Sequence, residues 1–302
     1  MASDVVRPPE GAEPTLPAGT PRPDRIYDLA EAPAAVVPCR LPLHQRLYGH
    51  SGVRRVFILV LLGAIWQGYA SWLGNPLLLP TLVETGRAFF GGIVSGELLA
   101  RIMSSLELLL TGYAAGLALA ALLTAVAMTS RLGRDLLATL TAMFNPLPSI
   151  ALLPLAMIWF GLGAASLVFV LIHAVVWAVA LSTLNGFEGV STTLRMVGRN
   201  YGLRGPRFVL KILVPAAFPS LLTGLKVGWA FAWRALIASE LVFGVSAGSG
   251  GIGWYIYENK NQLEIPAVFA GLVAVVLIGL AVEYLVFRWI ENRTVRKWGM
   301  QA

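Results

Sequence analysis

Few side chains in this sequence are placed to do covalent chemistry. The four lysines are Lys211, Lys226, Lys260 and Lys297, preceded by Leu, Leu, Asn and Arg. A phosphate-cradling loop of the G-x-x-x-x-G-K-[ST] kind needs a Gly-Lys pair so that the ammonium reaches the phosphates, and the chain has none. Gly244-Val245-Ser246 offers a serine in a G-x-S setting. A membrane-embedded serine hydrolase would need a histidine base on a later helix, yet His44, His50 and His173 all lie upstream. Gly248-Ser249-Gly250-Gly251-Ile252-Gly253 imitates a dinucleotide fingerprint without the strand that should precede it, so it reads as a flexible outer loop. The single cysteine, Cys39, excludes an intramolecular disulfide and a Cys-based metal cluster. No catalytic group, metal site or resident cofactor is expected.

The elements that must position the remaining polar groups are apolar helices. The chain is 57% hydrophobic and 13% charged, with mean hydropathy +0.71, far from the roughly 25% charged residues of soluble domains. This composition predicts an all-α, multi-pass membrane protein. A net charge of +7 could signal nucleic acid. Its arginines sit in short loops between apolar runs, however, and topology accounts for them, so no nucleic-acid partner is expected. Six spans are predicted, near 54–73, 98–129, 136–160, 164–187, 208–244 and 265–290, each beyond the ~20 residues that crossing requires. Segments 40–55, 131–134, 195–211 and 288–297 hold 15 Lys/Arg, whereas the opposite loops hold Arg87, Arg101 and Lys260. That bias predicts both termini on the cytoplasmic side. Residues 1–53 carry nine of the 18 prolines and read as a disordered tail, with an interfacial helix conceivable over 40–53. The membrane domain is expected over 54–291, with a loop at 188–208, and a short tail over 292–302.

Ionisable groups inside spans are costly and normally face a cavity or a partner. Three need explaining: His173, Arg234 and Glu240. Arg234 could attract an anionic solute, or could ion-pair or snorkel instead. Glu240, at the outer end of its helix, suits a structural or outer-gate role, and His173 a hydrogen-bonded packing role or a ligand. Lys226 is expected to snorkel to the inner interface. Pro146, Pro148 and Pro154 free backbone carbonyls within a span, which is tolerated beside a water-lined cavity. Asn145, Pro148 and Ser149 are therefore placed on a pathway, together with His173, Arg234 and Glu240.

The longest charged interruption runs from Glu188 to Pro219. Leu194, Val197 and Tyr201 share one helical face, and Gly202, Gly205 and Pro206 end that helix. Gly202 is followed nine residues later by Ile212-Leu213-Val214-Pro215. This resembles the cytoplasmic loop of permease subunits of bacterial ATP-binding-cassette (ABC) importers, whose pattern is Glu-Ala-Ala, three residues, Gly, nine residues, Ile-x-Leu-Pro. Val214 stands at the Leu position, and Met196-Val197-Gly198 replace the Glu-Ala-Ala. Pro146-Leu147-Pro148-Ser149 to Pro154, Trp159-Phe160-Gly161-Leu162-Gly163, Gly224 to Gly228, Ala232-Trp233, Ser239-Glu240-Leu241, Gly250 to Gly253, Val268 to Gly271 and the Arg-rich end at Trp298 resemble the nitrate/sulfonate/taurine branch.

The resemblance covers about residues 55–298 and implies the importer permease fold in a bacterial inner membrane. It further implies a second permease chain as homodimer partner, cytoplasmic ATPase subunits holding ATP and Mg, an extracytoplasmic solute-binding protein and contact with membrane lipid. It places ATPase coupling at Arg195, Val197, Gly198, Arg199, Tyr201, Gly202, Leu203 and Arg207. An ATP-independent secondary transporter or channel is the alternative, although the paired broken repeats common in such proteins are missing.

Overall fold

The computed structural model describes residues 51–243 and 250–297, which are almost wholly helical. Expectations for 1–50, for Gly244 to Ser249 and for 298–302 fall outside the described residues. Two units divide the chain, Met1–Phe57 and Ile58–Ala302. Of the first, only the opening of helix α1 (Ser51–Leu73), with Arg54 and Arg55, is described.

The second unit continues with α2 (Leu82–Val94), α3 (Glu97–Ala127), α4 (Arg131–Phe144), a 3₁₀ turn (Ser149–Leu152), α5 (Leu153–Phe160) and α6 (Ala164–Glu188). Then come α7 (Thr192–Asn200), α8 (Gly205–Phe208), a π turn (Val209–Leu213), α9 (Val214–Ala216) and α10 (Phe218–Phe243). The chain closes with α11 (Ile252–Asn261), α12 (Ile265–Ala281), a second π turn (Val282–Phe287) and α13 (Arg288–Arg293). Five helical runs are long and apolar enough to cross a membrane, and α4 with the Ser149–Phe160 segment makes a sixth if the bent pair is one span.

At the centre stands α6, packed between α3 and α10. Lipid offers no hydrophobic drive between helices, so close approach depends on small residues. Gly112 and Gly116 of α3 lie against Leu171 and Val175 of α6, where a Cβ at Gly116 would stand 2.8 Å from that of Val175. On the other side, Gly224 and Gly228 of α10 meet Ser182 and Val179, with Cβ approaches of 2.6 and 2.9 Å. The Tyr113 hydroxyl donates to the Leu225 carbonyl at 2.9 Å, joining α3 to α10 directly.

Several expectations change. The span expected at 136–160 is not one helix: α4 stops at Phe144 and the following helical segment turns by 88°. Pro146 and Pro148 withhold N–H donors and crowd the preceding turn, so the hydrogen-bond ladder cannot pass through them. The run 208–244 breaks where Ala217 leaves helical geometry (φ −90°, ψ 3°) between Pro215 and Pro219, as their spacing predicts. Lys226 pairs with Glu291 at 2.8 Å and Glu283 at 3.7 Å, which ties α10 to the last helical run. The stretch after Leu79 contains α2, built on a Thr81/Glu84 capping box. Hydrogen bonds from the Thr81 backbone N–H and hydroxyl hold the Glu84 carboxyl below the usual range. Finally, the part of the glycine run from Gly250 to Gly253 is a buried junction opening α11, not a loose loop.

The α3–α6 contact generates a paired prediction. Gly116→Ala should destabilise the detergent-solubilised chain by about 1–3 kcal/mol through overpacking. Gly68→Ala, whose added Cβ meets nothing within 4 Å, should be neutral or slightly stabilising. Thermal unfolding of both variants measures the difference, and equal melting temperatures would contradict the packing described.

Candidate functional site

The α4–α5 break opens beside α6 and α10. There a cavity of about 340 Å³ is lined by Phe144 to Ile150 of the break, His173, Ala174 and Trp177 of α6, and Phe231, Arg234, Ala235 and Ala238 of α10. Five of the six pathway residues expected from sequence, Asn145, Pro148, Ser149, His173 and Arg234, thus meet at one place. The local reason is simple: residues 173 and 177 are one helical turn apart on α6, and 231, 234, 235 and 238 form one stripe of α10.

The polar groups there are under-paired. Both ring nitrogens of His173 and the Trp177 Nε1 are buried without a hydrogen-bond partner among the described residues. A packing histidine would have satisfied at least one of them, so the hydrogen-bonded role expected for His173 is not what the structure has. Each such buried group costs about 1–3 kcal/mol relative to a paired one. Arg234 donates from Nε to the Ala230 carbonyl at 3.0 Å, and its guanidinium lies 5.2 Å from the Phe231 ring centroid. Among the described residues it makes no ion pair, which removes one of the bland explanations for its presence. Phe144 stacks on Trp177 with centroids 5.1 Å apart and 17° between planes, and His173 meets both rings edge-on.

A second cavity, of about 410 Å³, shares Asn145 and Pro146 with the first and continues toward α7. Arg134, Asp135, Thr141, Asn185 and Glu188 add to Asn145 in its polar lining. The break therefore stands between a cationic, aromatic chamber and one holding two carboxylates.

Glu240 belongs to neither cavity. It is 4% exposed, accepts hydrogen bonds from Ser105 Oγ at 2.9 Å and from the Gly253 N–H at 2.8 Å, and so joins α10, α3 and α11. Ser105 Oγ also accepts from the Ile252 N–H at 2.9 Å. A Cβ at Gly251 would sit 2.1 Å from both Glu240 Oε1 and Ser105 Oγ, so only glycine fits this junction. Nearby, Arg101 pairs with Glu258 at 3.1 Å, a second tie between α3 and α11. These bonds give Glu240 the structural role that was one of its two readings from sequence.

At the far end of α6, α7 divides the expected coupling residues into two sets. Arg195 turns back, donating from Nε to the Val190 carbonyl at 3.0 Å and from Nη2 to the carbonyls of Phe187 and Glu188. It thereby caps the C-terminus of α6, where a cation is favoured. Gly198 is buried against Phe208 and Ile212, and Leu203 is half-buried. Val197, Arg199, Tyr201, Gly202 and Arg207 face outward, Tyr201 at 82% exposure. Gly202 (φ +73°) ends α7 in a Schellman turn: its N–H reaches the Arg199 carbonyl and the Leu203 N–H that of Gly198. This left-handed position explains the glycine.

Comparison with known proteins fixes the family. Residues 112–296 match the model of the binding-protein-dependent transport system inner membrane component. The chain belongs to that family. This permease is 29% identical over 245 residues to a protein of Methanocaldococcus jannaschii named as an ABC transporter permease, covering 80% of this chain and 90% of that one. It is 29% identical to an aliphatic sulfonates transport permease protein of Bacillus subtilis, over 78% of this chain and 83% of that one. To the nitrate import permease protein of a Synechocystis species it is 27% identical, over 78% and 87%. The all-helical, multi-pass importer permease inferred from sequence is thereby established, as a transporter component of the inner membrane.

Sequence reasoning about the permease missed Phe144, Trp177 and Phe231 in the cavity wall and Ser105 beneath Glu240. Trp177 was findable, four residues after His173. Ser105 lies 135 residues from its partner, and no local spacing signals it.

Glu240→Leu would strand the Ser105 hydroxyl and the Gly253 N–H at about 1–3 kcal/mol each. We expect that variant to expose 250–261 to limited proteolysis while α6 stays protected. Unchanged cleavage across 250–261 would show that the junction is not held this way.

Proposed function

We propose that this permease forms the pathway for a small anionic solute, driven by a separate ATPase that grips the exposed side of α7. The carrying observation is the cavity at the α4–α5 break, which gathers the Arg234 guanidinium and the unpaired nitrogens of His173 and Trp177 around a backbone interruption. Irregular backbone at membrane depth is stable only where protein or water satisfies it. The relatives named for sulfonates and nitrate support an anion.

In this reading both termini and α7 lie in the cytoplasm. Two copies of the chain face each other, in contact with membrane lipid, and a soluble binding protein delivers solute to the α11 end. The ATP and Mg belong to the ATPase. Closure of the ATPase pair pushes Tyr201 and Arg199, and Arg195 passes the displacement to α6 because its guanidinium binds the last carbonyls of that helix. The helix then carries motion to Trp177 and His173, roughly 16 and 22 Å from its last residue at the 1.5 Å rise of an α-helix.

The test is ATP-dependent solute uptake in proteoliposomes holding the permease, its ATPase and its binding protein. Tyr201→Asp, or a bulky charged residue at Gly202, should abolish ATPase co-purification and uptake while leaving membrane insertion intact. Normal assembly and uptake in both variants would overturn the coupling assignment, and robust flux through the permease without its ATPase would overturn the driven mechanism.

A further inference from the structure

The cavity at the break also constrains what kind of anion it fits, an inference that rests on the pathway reading above. Its ionisable lining is Arg234 and His173, and no carboxylate lies in it. Donors outnumber acceptors: the guanidinium and the Trp177 N–H donate only, and Asn145, Ser149 and His173 can each donate as well. Such a set matches one oxyanion head.

The rest of the wall is apolar and flat. The stacked Phe144–Trp177 pair lends the wall an aromatic surface beside the edge of His173. Ala174, Ala235 and Ala238 leave space rather than fill it, giving the volume of about 340 Å³. Cavities of about 300 Å³ and upward suit organic ligands rather than ions of a few atoms. Nitrate would engage Arg234 and leave the aromatic face unused. An aminoalkanesulfonate would bring an ammonium into a chamber that already holds a guanidinium and offers no carboxylate to neutralise it.

We infer that the site takes an organic monoanion with a single oxyanion head, sulfonate or carboxylate, and a flat apolar body. The head lies against Arg234 and the donors of Asn145 and Ser149, the body against Phe144 and Trp177. Two classes found among anion importers, bare inorganic anions and zwitterionic sulfonates, are disfavoured by the same geometry. The Trp177 N–H and the His173 ring reach the head or the ring edge and lose their unpaired state.

Protection of an introduced thiol tests this on the full chain in lipid nanodiscs. Cys39→Ser removes the native thiol, and Ala238→Cys places one in the wall without touching a proposed donor. The rate of modification by a water-soluble thiol reagent is read with benzenesulfonate, benzoate, nitrate, taurine or benzylammonium present. Benzenesulfonate and benzoate are expected to protect, and benzylammonium not at all. The half-protecting concentrations of nitrate and taurine should be higher by about tenfold or more, the equivalent of one lost charge-assisted or stacking contact.

Arg234→Gln should raise the benzenesulfonate concentration needed for half-protection by about tenfold, with protection in each variant measured against that variant's own unliganded rate. Trp177→Phe, which keeps the ring and removes the N–H, should give a smaller rise. Of the two arylated probes, the stronger protector identifies the preferred head group. Nitrate or taurine protecting as well as benzenesulfonate would overturn the assignment of class and leave the pathway standing. The same holds if the thiol reacts and none of the anions protects it. A thiol at position 238 that never reacts would overturn the pathway reading itself.

Discussion

A backbone that enters a membrane must pair its own N–H and C=O groups or find a protein or aqueous partner for them, because hydrocarbon supplies none. Among the described residues of this permease the sharpest departure from an unbroken ladder is at Asn145 to Pro148, where two prolines withhold donors and the chain turns by 88°. The candidate pathway gathers around that exception. The break cannot face lipid, so it faces α6 and α10, and the side chains those helices turn toward it line a chamber. Buried unpaired nitrogens on His173 and Trp177 are tolerable there for the same reason as the broken ladder.

Such an exception needs a rigid frame. Glycines on α3 and α10 let both helices close on α6 to distances that any side chain would prevent, so the wall bearing His173 and Trp177 is the most tightly held element. One end of the bundle is pinned by the Glu240–Ser105–Gly253 junction and the Arg101–Glu258 pair. At the other, Arg195 binds α7 to the last turn of α6. A displacement of α7 therefore has a short, stiff route to the chamber.

Much of this was legible in the residues themselves. Apolar runs and arginine-bearing loops gave the spans, and Gly202 with Ile212 to Pro215 gave the loop that α7 occupies. Pro146, Pro148, Arg234 and His173 could each be singled out because they are expensive in a membrane. Their convergence on one cavity could not, since it depends on the rotation of α6 and α10 about their axes. The sequence misled where local signals compete. Apolarity alone runs one span through Pro146 and Pro148, although two prolines two residues apart remove too many bonds for the helix to continue. Gly250 to Gly253 looked flexible, because glycine in a loop and glycine under a buried carboxylate are written alike. Ser105 beside Glu240 and the carbonyl partners of Arg195 have no local sign in the sequence, because they depend on how the helix ends meet.

The claim on which the rest turns is that the backbone at the α4–α5 break is open to water at membrane depth. Amide hydrogen exchange of the full chain in nanodiscs, followed by mass spectrometry, measures this directly. Peptides covering 144–151 should exchange far faster than those covering 168–180 of α6, although both lie within the spanning region. Equal, strong protection of the two segments would mean that the break is sealed in protein, and would contradict the account.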